Sequence, residues 1–278
     1  MKILDGKKLA DRILDNLKRE IKSRRLKLRL AIILIGNGAI SKIFIHGIEK
    51  DSRKVDIDFN LYKFPAKINR KKLKEEIEKI VKNPQNSGIV IQLPLPKKFL
   101  TEELLNLIPQ EKDINVLSEK SLGKFYQGTL KILPPTVEGI LELLKNYKIK
   151  ISGKDVTILG AGRLVGLPLA IQLLKEKATV SALNEFTKDA SFFTKKADIL
   201  ISGVGKPNLI KENMIKKGAV VIDAGTSIKK ETVAGDIDFK SISRKASFLT
   251  PVPGGVGPMT VACLLKNLVK LSGERRRG

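Results

Sequence analysis

Leu9, Ile13, Leu17 and Ile21 recur at helical spacing among charged neighbours, so the chain opens on an amphipathic helix ending near Arg24. The period then shortens. "RLAIILIG" (29–36) is a brief apolar run closed by glycine, which predicts a buried strand. After the loop "GNGAIS", Ser41 is predicted to cap a helix running to about Lys54. "VDIDFNLYKF" (55–64) alternates as a strand does, and "NRKKLKEEIEKIVKN" (69–83) is a charged amphipathic helix. "SGIVIQLPLP" (87–96) reads as a strand stopped by Pro94 and Pro96. "TEELLNLIP" (101–109) predicts a helix with a capping-box start at Thr101 and an end at Pro109.

That β-α-β-α-β order predicts a parallel sheet with helices outside it. The second half repeats the rhythm. A long helix, "PTVEGILELLKNYK", precedes the strand "KDVTILG", the loop and helix "AGRLVGLPLAIQLLKEK", and the strands "ATVSALN", "ADILISGVG" and "GAVVIDAG". This is a second doubly wound unit, of the kind that takes dinucleotides at the carboxyl ends of its strands. The fold class is therefore α/β with two lobes. Residues 1–118 are expected to form the first, completed by a C-terminal helix at 259–278. Residues 119–258 are expected to form a Rossmann-like dinucleotide-binding lobe, with a linking helix at 136–148.

Composition narrows the class. With 278 residues, 42% hydrophobic and 29% charged, the chain is suited to a folded protein large enough for two lobes. No apolar run reaches the length of a membrane span, and acids interrupt the N-terminal stretch, so it is read as fold and not as a leader. Cys263 stands alone, which excludes disulfide frameworks and cysteine metal sites; no metal is expected, and a cytoplasmic protein fits best. The net charge of +24 admits nucleic acid or an acidic small molecule as partner. However, the lysines are interleaved with Glu, aromatics are only 5%, and Trp is absent, so base-stacking platforms are poorly supplied. A lysine-rich solvated surface is favoured over nucleic-acid binding, and the tail "GERRRG" is read as a solvated end.

Two glycine-rich loops suggest chemistry. "TPVPGGVGPMT" (250–260) is a shaped loop before the apolar helical stretch Val261–Leu271, and its Gly254, Gly255 and Gly257 offer backbone N–H groups to an anion or a flat ligand. "ILGAGRLVGLPLA" follows a strand and opens a helix, the context for pyrophosphate binding. Its Gly160, Gly162 and Gly166 are spaced one residue longer than the usual fingerprint. The next strand is expected to end at Asn184 and Glu185, where an acid would meet the adenosine ribose; the alternative is a solvated strand-end acid. A carboxylate there accepts from a ribose diol and repels a 2′-phosphate, which favours NAD over NADP.

Taken in order, "GIVIQLPLP", "EKDIN", "ILGAGRLVGLPLA", "ADILISGVGKP", "GAVVIDAG", "GDIDF" and "TPVPGGVGPMT" resemble the bifunctional methylenetetrahydrofolate dehydrogenase/methenyltetrahydrofolate cyclohydrolase family over essentially the whole chain. The resemblance implies a folate cleft between two lobes, a homodimer paired through the cofactor lobe, and a place in one-carbon metabolism. It implies a folate side made of Ser41, Phe44, Ile48, Ile91, Gln92, Leu93, Asn115 and the loop Pro253, Gly254, Gly255, Val256 and Gly257. On the cofactor side it implies Gly160, Ala161, Gly162, Arg163, Val165, Gly166, Glu185, Gly203, Val204, Gly225 and Thr226.

The departures from the family pattern carry the sharper expectations. Where the family has Tyr-x-x-x-Lys, this chain has Phe44 and Ile48; "KDVDG" becomes "KDINV", with Asn115 for the second acid; "PCTPxG" becomes "PPTVEG". Gln92 is kept. Hydride removal needs positioning, whereas the hydrolytic step needs protons moved. Dehydrogenase activity is therefore expected, weakened, with cyclohydrolase activity lost or severely reduced; the alternative is a non-catalytic folate- or dinucleotide-binding relative. Lys50 and His46 are expected to face away from Ile48, while Asp51 and Ser52 share its face, Asp51 being the acid left to meet the pterin. Gly160-Ala161-Gly162 replaces the family's Gly-Arg-Ser, so the usual 2′-phosphate Arg is missing, with Arg163 as its one nearby substitute.

Overall fold

The structure, a computed structural model, describes residues 1–229 and 232–274. Along the chain run β1 (Lys2–Ile3), α1 (Gly6–Ser23), β2 (Arg29–Ile35), α2 (Ala39–Lys54), β3 (Asp58–Phe64), α3 (Arg70–Lys82), β4 (Gly88–Ile91), α4 (Thr101–Leu105), α5 (Glu119–Gln127) and α6 (Pro135–Asn146). There follow β5 (Asp155–Leu159), α7 (Gly166–Lys175), β6 (Thr179–Leu183), α8 (Ala190–Thr194), β7 (Ile199–Ser202), β8 (Val220–Asp223), β9 (Ser227–Lys229), β10 (Thr232–Ala234), α9 (Phe239–Ile242), β11 (Phe248–Leu249) and α10 (Val256–Glu274). The chain divides into two compact units. One comprises Asp11–Pro135 and the chain from Val261 on, the other Met1–Ala10 with Thr136–Thr260.

The first of these is built on a three-stranded parallel sheet in the order β3-β2-β4. β2 lies between two neighbours and is covered on both faces, which is why its sequence is a continuous apolar run and not an alternation. α3 turns Leu73, Ile77 and Ile80 onto a core shared with Ala31, Ile33, Ile89 and Ile91. Each leucine or isoleucine of this set contributes about 1.5–3 kcal/mol on burial. Asn69 caps α3 by accepting from the backbone N–H groups of Lys71 and Lys72. In α10, Asn267 is fully buried and donates to the carbonyls of Ile114 (2.9 Å) and Leu133 (2.8 Å), fixing the last helix to this unit.

The other unit carries a six-stranded, wholly parallel sheet, β1-β11-β8-β7-β5-β6, plus the antiparallel pair β9–β10. Its apolar core includes Leu159, Leu200, Val221, Ile237 and Leu249. The two units differ from the 1–118 and 119–258 division at both ends of the first segment. β1 pairs with β11 and so places the first residues with the six-stranded sheet, while residues 119–135 stay with the three-stranded one.

Several local expectations are corrected. Ser41 is not a cap: α2 begins at Ala39 after Gly38, without a side-chain capping bond, and Ser41 is buried within its first turn. Thr101 makes no capping box either. α4 starts after Leu100, has no side-chain cap, and stops at Leu105 well before Pro109; the fourth residue of the would-be box is Leu104, which is buried and has no group to return the bond. α10 begins at Val256, earlier than either 259 or Val261, because Pro258 sits in a first turn where its missing N–H leaves no gap. Val256 and Gly257 are therefore helical. β6 ends at Leu183, so Asn184 and Glu185 lie in the following turn. The tail beyond residue 274, part of the expected 259–278 helix, lies outside the described residues.

Candidate functional site

In the three-stranded sheet, β3 lies on one side of β2 and β4 on the other. The carboxyl ends of β2 and β4 therefore flank a topological switch point, where open α/β sheets take their ligands. Gln92 follows β4 at this place. Its backbone N–H reaches the carbonyl of Ile33 (2.9 Å) and its side-chain amide donates to the carbonyl of Leu93 (2.7 Å), while Oε1 has no partner among the described residues. Ile91, by contrast, is a core side chain, and Leu93 packs against the same cluster.

β2 leads through Gly36 into α2, whose buried residues are Ser41, Ile45, Ile48 and Ser52. Ile48 has no exposed surface at all, and Phe44 is half-buried. Lys50 and His46 are exposed, as the helical phase requires. Ser52, one turn beyond Ile48, keeps a buried hydroxyl with no hydrogen-bond partner among the described residues. Asp51 is half-buried, and burial pushes its carboxyl above the usual range against the pull of Lys50 and Lys54.

Beside β4, the carboxylate of Asp113 is taken up by its own loop. It accepts from the backbone N–H groups of Leu117 (3.0 Å) and Ser118 (2.8 Å) and from the Ser118 hydroxyl (2.7 Å). Asn115 is half-buried. Val116 has φ of +58°, a left-handed conformation at the position where the resembled pattern has Gly. For a β-branched residue that costs about 1–3 kcal/mol, offset here by complete burial of the side chain.

The six-stranded sheet has its own switch point between β5 and β7, since β6 lies beyond β5 and β8 beyond β7. The three glycines after β5 divide the work. Gly160 has φ of +93° and turns the chain; a Cβ at Gly166 would overlap the carbonyl of Gly160, so the glycine lets α7 start against the loop. Gly162 alone faces open space. α7 has no side-chain cap, and with Gly162 it forms a backbone-lined cradle suited to a pyrophosphate. The backbone N–H groups of Gly160 and Ala161 are tied to the carbonyl of Leu183, and Val165 packs against Gly203. Arg163 is half-buried. Glu185 is exposed, without a hydrogen bond or ion pair among the described residues, in a turn closed by the Asn184 and Thr187 side chains.

In the loop Thr250–Gly255, Gly254 has φ of +105°, and a Cβ on Gly255 would meet the carbonyl oxygen of Pro251 at 2.5 Å. The loop's own fold thus accounts for these two glycines, whereas exposed Gly257, in the first turn of α10, has nothing near its missing Cβ. The residues that sequence reasoning passed over are two buried acids. Asp236 accepts from the Ser202 hydroxyl (2.6 Å) and from the N–H groups of Val204 (2.7 Å) and Lys206 (2.8 Å). Asp223 accepts from the N–H groups of Gly225 (3.0 Å), Asp236 (3.1 Å) and Ile237 (3.0 Å), and burial, with the neighbouring Asp236 charge, pushes its carboxyl up to about 6. Their signals were the "DAG" of "GAVVIDAG" and the "GD" of "GDIDF". Thr226 is exposed just beyond.

Among the described residues, no helix is long and apolar enough to cross a membrane, and no cluster of three or more His, Cys, Asp or Glu side chains is placed to hold a metal ion.

Residues 4–115 match the family description "Tetrahydrofolate dehydrogenase/cyclohydrolase, catalytic domain", and residues 134–276 match "Tetrahydrofolate dehydrogenase/cyclohydrolase, NAD(P)-binding domain". The chain is 41% identical to the "Bifunctional protein FolD" of Nitratiruptor sp., over 100% of both chains. Its fold is similar to the crystal structure of the bifunctional methylenetetrahydrofolate dehydrogenase/cyclohydrolase from Campylobacter jejuni, with a TM-score of 0.93 at 37% identity and 99% coverage of each chain. It is also similar to the Trypanosoma brucei enzyme solved with NADP and an inhibitor, with a TM-score of 0.94 at 31% identity, covering 99% of this chain and 98% of that one.

Proposed function

Because the chain belongs to the tetrahydrofolate dehydrogenase/cyclohydrolase family across both its catalytic and its NAD(P)-binding parts, we propose that it oxidises 5,10-methylenetetrahydrofolate to 5,10-methenyltetrahydrofolate and has lost most or all of the hydrolytic step to 10-formyltetrahydrofolate. The observation that carries the second half is α2, where Ile48 is wholly buried and Phe44 half-buried at the positions of the family's Lys and Tyr. Neither side chain can move a proton.

The three-stranded unit is the folate-binding domain in this reading, and the six-stranded unit the dinucleotide-binding one. Gly160, Gly162, Gly166 and the start of α7 hold the pyrophosphate, Glu185 meets the adenosine ribose, and Gly203, Val204, Gly225 and Thr226 line the nicotinamide end. When bound, the dinucleotide supplies the hydride acceptor. Loss of hydride from the bridging methylene leaves a cation shared by two folate nitrogens, so no side chain must take a proton, and positioning suffices. Gln92 does that positioning with its free Oε1, and Asp51 stands in for the lost acid at Asn115 as a hydrogen-bond acceptor. Ring opening by water is different: it needs a tuned acid or base, and the α2 face supplies no lysine.

Glu185 and Ala161 together favour NAD over NADP. A carboxylate free of protein partners suits a ribose diol, and the 2′-phosphate loses its usual Arg. We also infer a homodimer paired through the dinucleotide-binding unit, since Leu167 and Leu174 of α7 and Leu164 before it are exposed. A cytoplasmic location and an absence of nucleic-acid partners complete the reading.

Purified protein given methylenetetrahydrofolate with NAD or NADP tests it, with reduced cofactor and methenyl product followed at separate wavelengths. Reduced cofactor should appear while the methenyl product accumulates. Faster disappearance of methenyl product than in buffer would show that another group moves the protons. A second reading, a non-catalytic relative, is favoured by the three altered polar positions (Phe44, Ile48 and Asn115), and folded protein that reduces neither nucleotide would establish it.

A further inference from the structure

β7 and β8 are parallel neighbours whose last residues, Ser202 and Asp223, are register partners. Beyond them the ladder stops and the loops carry backbone N–H groups that no strand satisfies, next to the β5–β7 switch point. Asp236 and Asp223 supply the acceptors. Both carboxylates are almost wholly buried, and neither has a side-chain cation bonded to it among the described residues. Burying a charge in this way is costly unless hydrogen bonds replace its water, and each carboxylate here accepts three.

The two acids interlock. A Cβ on Gly225, two residues after Asp223, would overlap the Asp236 carboxylate; a Cβ on Gly235, just before Asp236, would overlap the Asp223 carboxylate. Support runs in series. The Thr250 hydroxyl accepts from the Asp223 N–H (2.7 Å), the Asp223 carboxylate holds the N–H groups of Asp236 and Ile237, and the Asp236 carboxylate holds Ser202, Val204 and Lys206. The chain thus uses the acids of "DAG" and "GD", Asp223 and Asp236, which had no assigned role, as two halves of one clamp.

We propose that Asp236, with Asp223 behind it, is a positioning residue for the dinucleotide: the clamp fixes the backbone of Gly203–Lys206 and Gly225 in the shape the cofactor binds. The inference rests on the reading that these loops line the nicotinamide end. Rigid support of this kind is what keeps a binding loop from being present but too loose.

The test compares wild type with Asp236→Asn. Asn presents one carbonyl oxygen where the carboxylate presented two, so two of the three donors cannot both be kept. Amide hydrogen exchange at Val204 and Lys206 should accelerate, and calorimetric Kd for NAD or NADP should weaken about tenfold or more. The dinucleotide KM should rise by more than kcat falls, with the folate KM little changed. Unchanged exchange at both amides, or unchanged dinucleotide affinity in a variant that folds, overturns the proposal. Should Asp236→Asn fail to fold, Ser202→Ala carries the test. It removes one donor and keeps the charge, so about a threefold loss of affinity is expected, and wild-type affinity together with wild-type exchange would overturn the proposal equally. Wild-type protein that binds neither dinucleotide would instead remove the cofactor reading and the positioning role with it, while the exchange rates would still report whether the clamp holds the loop.

Discussion

Ile48 lies one helical turn from Ser52, whose hydroxyl is buried without a partner among the described residues. A lysine at 48 would bring an amine to within i,i+4 reach of that hydroxyl, and desolvation would hold its pKa below the ordinary value, nearer the range that suits proton transfer. The double variant Phe44→Tyr/Ile48→Lys should therefore gain methenyltetrahydrofolate hydrolysis by about 10²-fold or more. A folded double variant that hydrolyses no faster than wild type would count against the assignment of these positions. Glu185 allows a second test at the same scale. If it meets the ribose as proposed, replacing it with Ser removes a negative charge from beside a 2′-phosphate and should shift the NADP:NAD ratio of kcat/KM towards NADP by about tenfold or more. An unchanged ratio would place this exposed acid away from the ribose.

Elements show which sequence signals were local. α3 was legible as a charged amphipathic helix, because its apolar spacing is a property of neighbouring residues; its Asn69 cap is equally local, though only the structure singled it out. α4 could not: Thr and two acids look like a helix start, but Leu104 and Leu105 are buried, and the helix ends after five residues. α7 combines both cases. Its start is set by Gly166 against Gly160, and its outer side carries Leu167 and Leu174, exposed in the single chain. If a second copy covers that side, Leu174→Lys, at the far end of α7 from the glycine loop, should convert a dimer to a monomer in sedimentation velocity, with folate and dinucleotide chemistry retained. A wild-type monomer at micromolar concentration would dispose of the pairing.

At the scale of the whole molecule, the Asp223 carboxyl bears on stability. Its pKa is raised in the folded state from 3.8 to about 6, so the folded protein holds the proton more tightly than the unfolded chain. The stabilising contribution is fully present below about pH 4 and is lost as the pH rises through about 6, a change of about 3 kcal/mol. Groups elsewhere are common to both proteins, so the measurable quantity is the unfolding free energy of wild type minus that of Asp223→Asn. That difference should fall by this amount between pH 4 and pH 7; a flat difference would mean the group does not titrate there. What the sequence determined by itself was the α/β class, the strands β2 to β8 in order, the glycine-rich loop before α7 and the apolar residues at 44 and 48 of α2. These depend on period, turn chemistry and motif, all carried by residues close together in the chain. Tertiary structure alone decided that β1 pairs with β11, that Ile91 is core, and that Asp236 closes on Ser202, 34 residues away. A two-residue strand has no period to detect, and a buried carboxylate looks like any other acid until the fold brings distant backbone N–H groups to it.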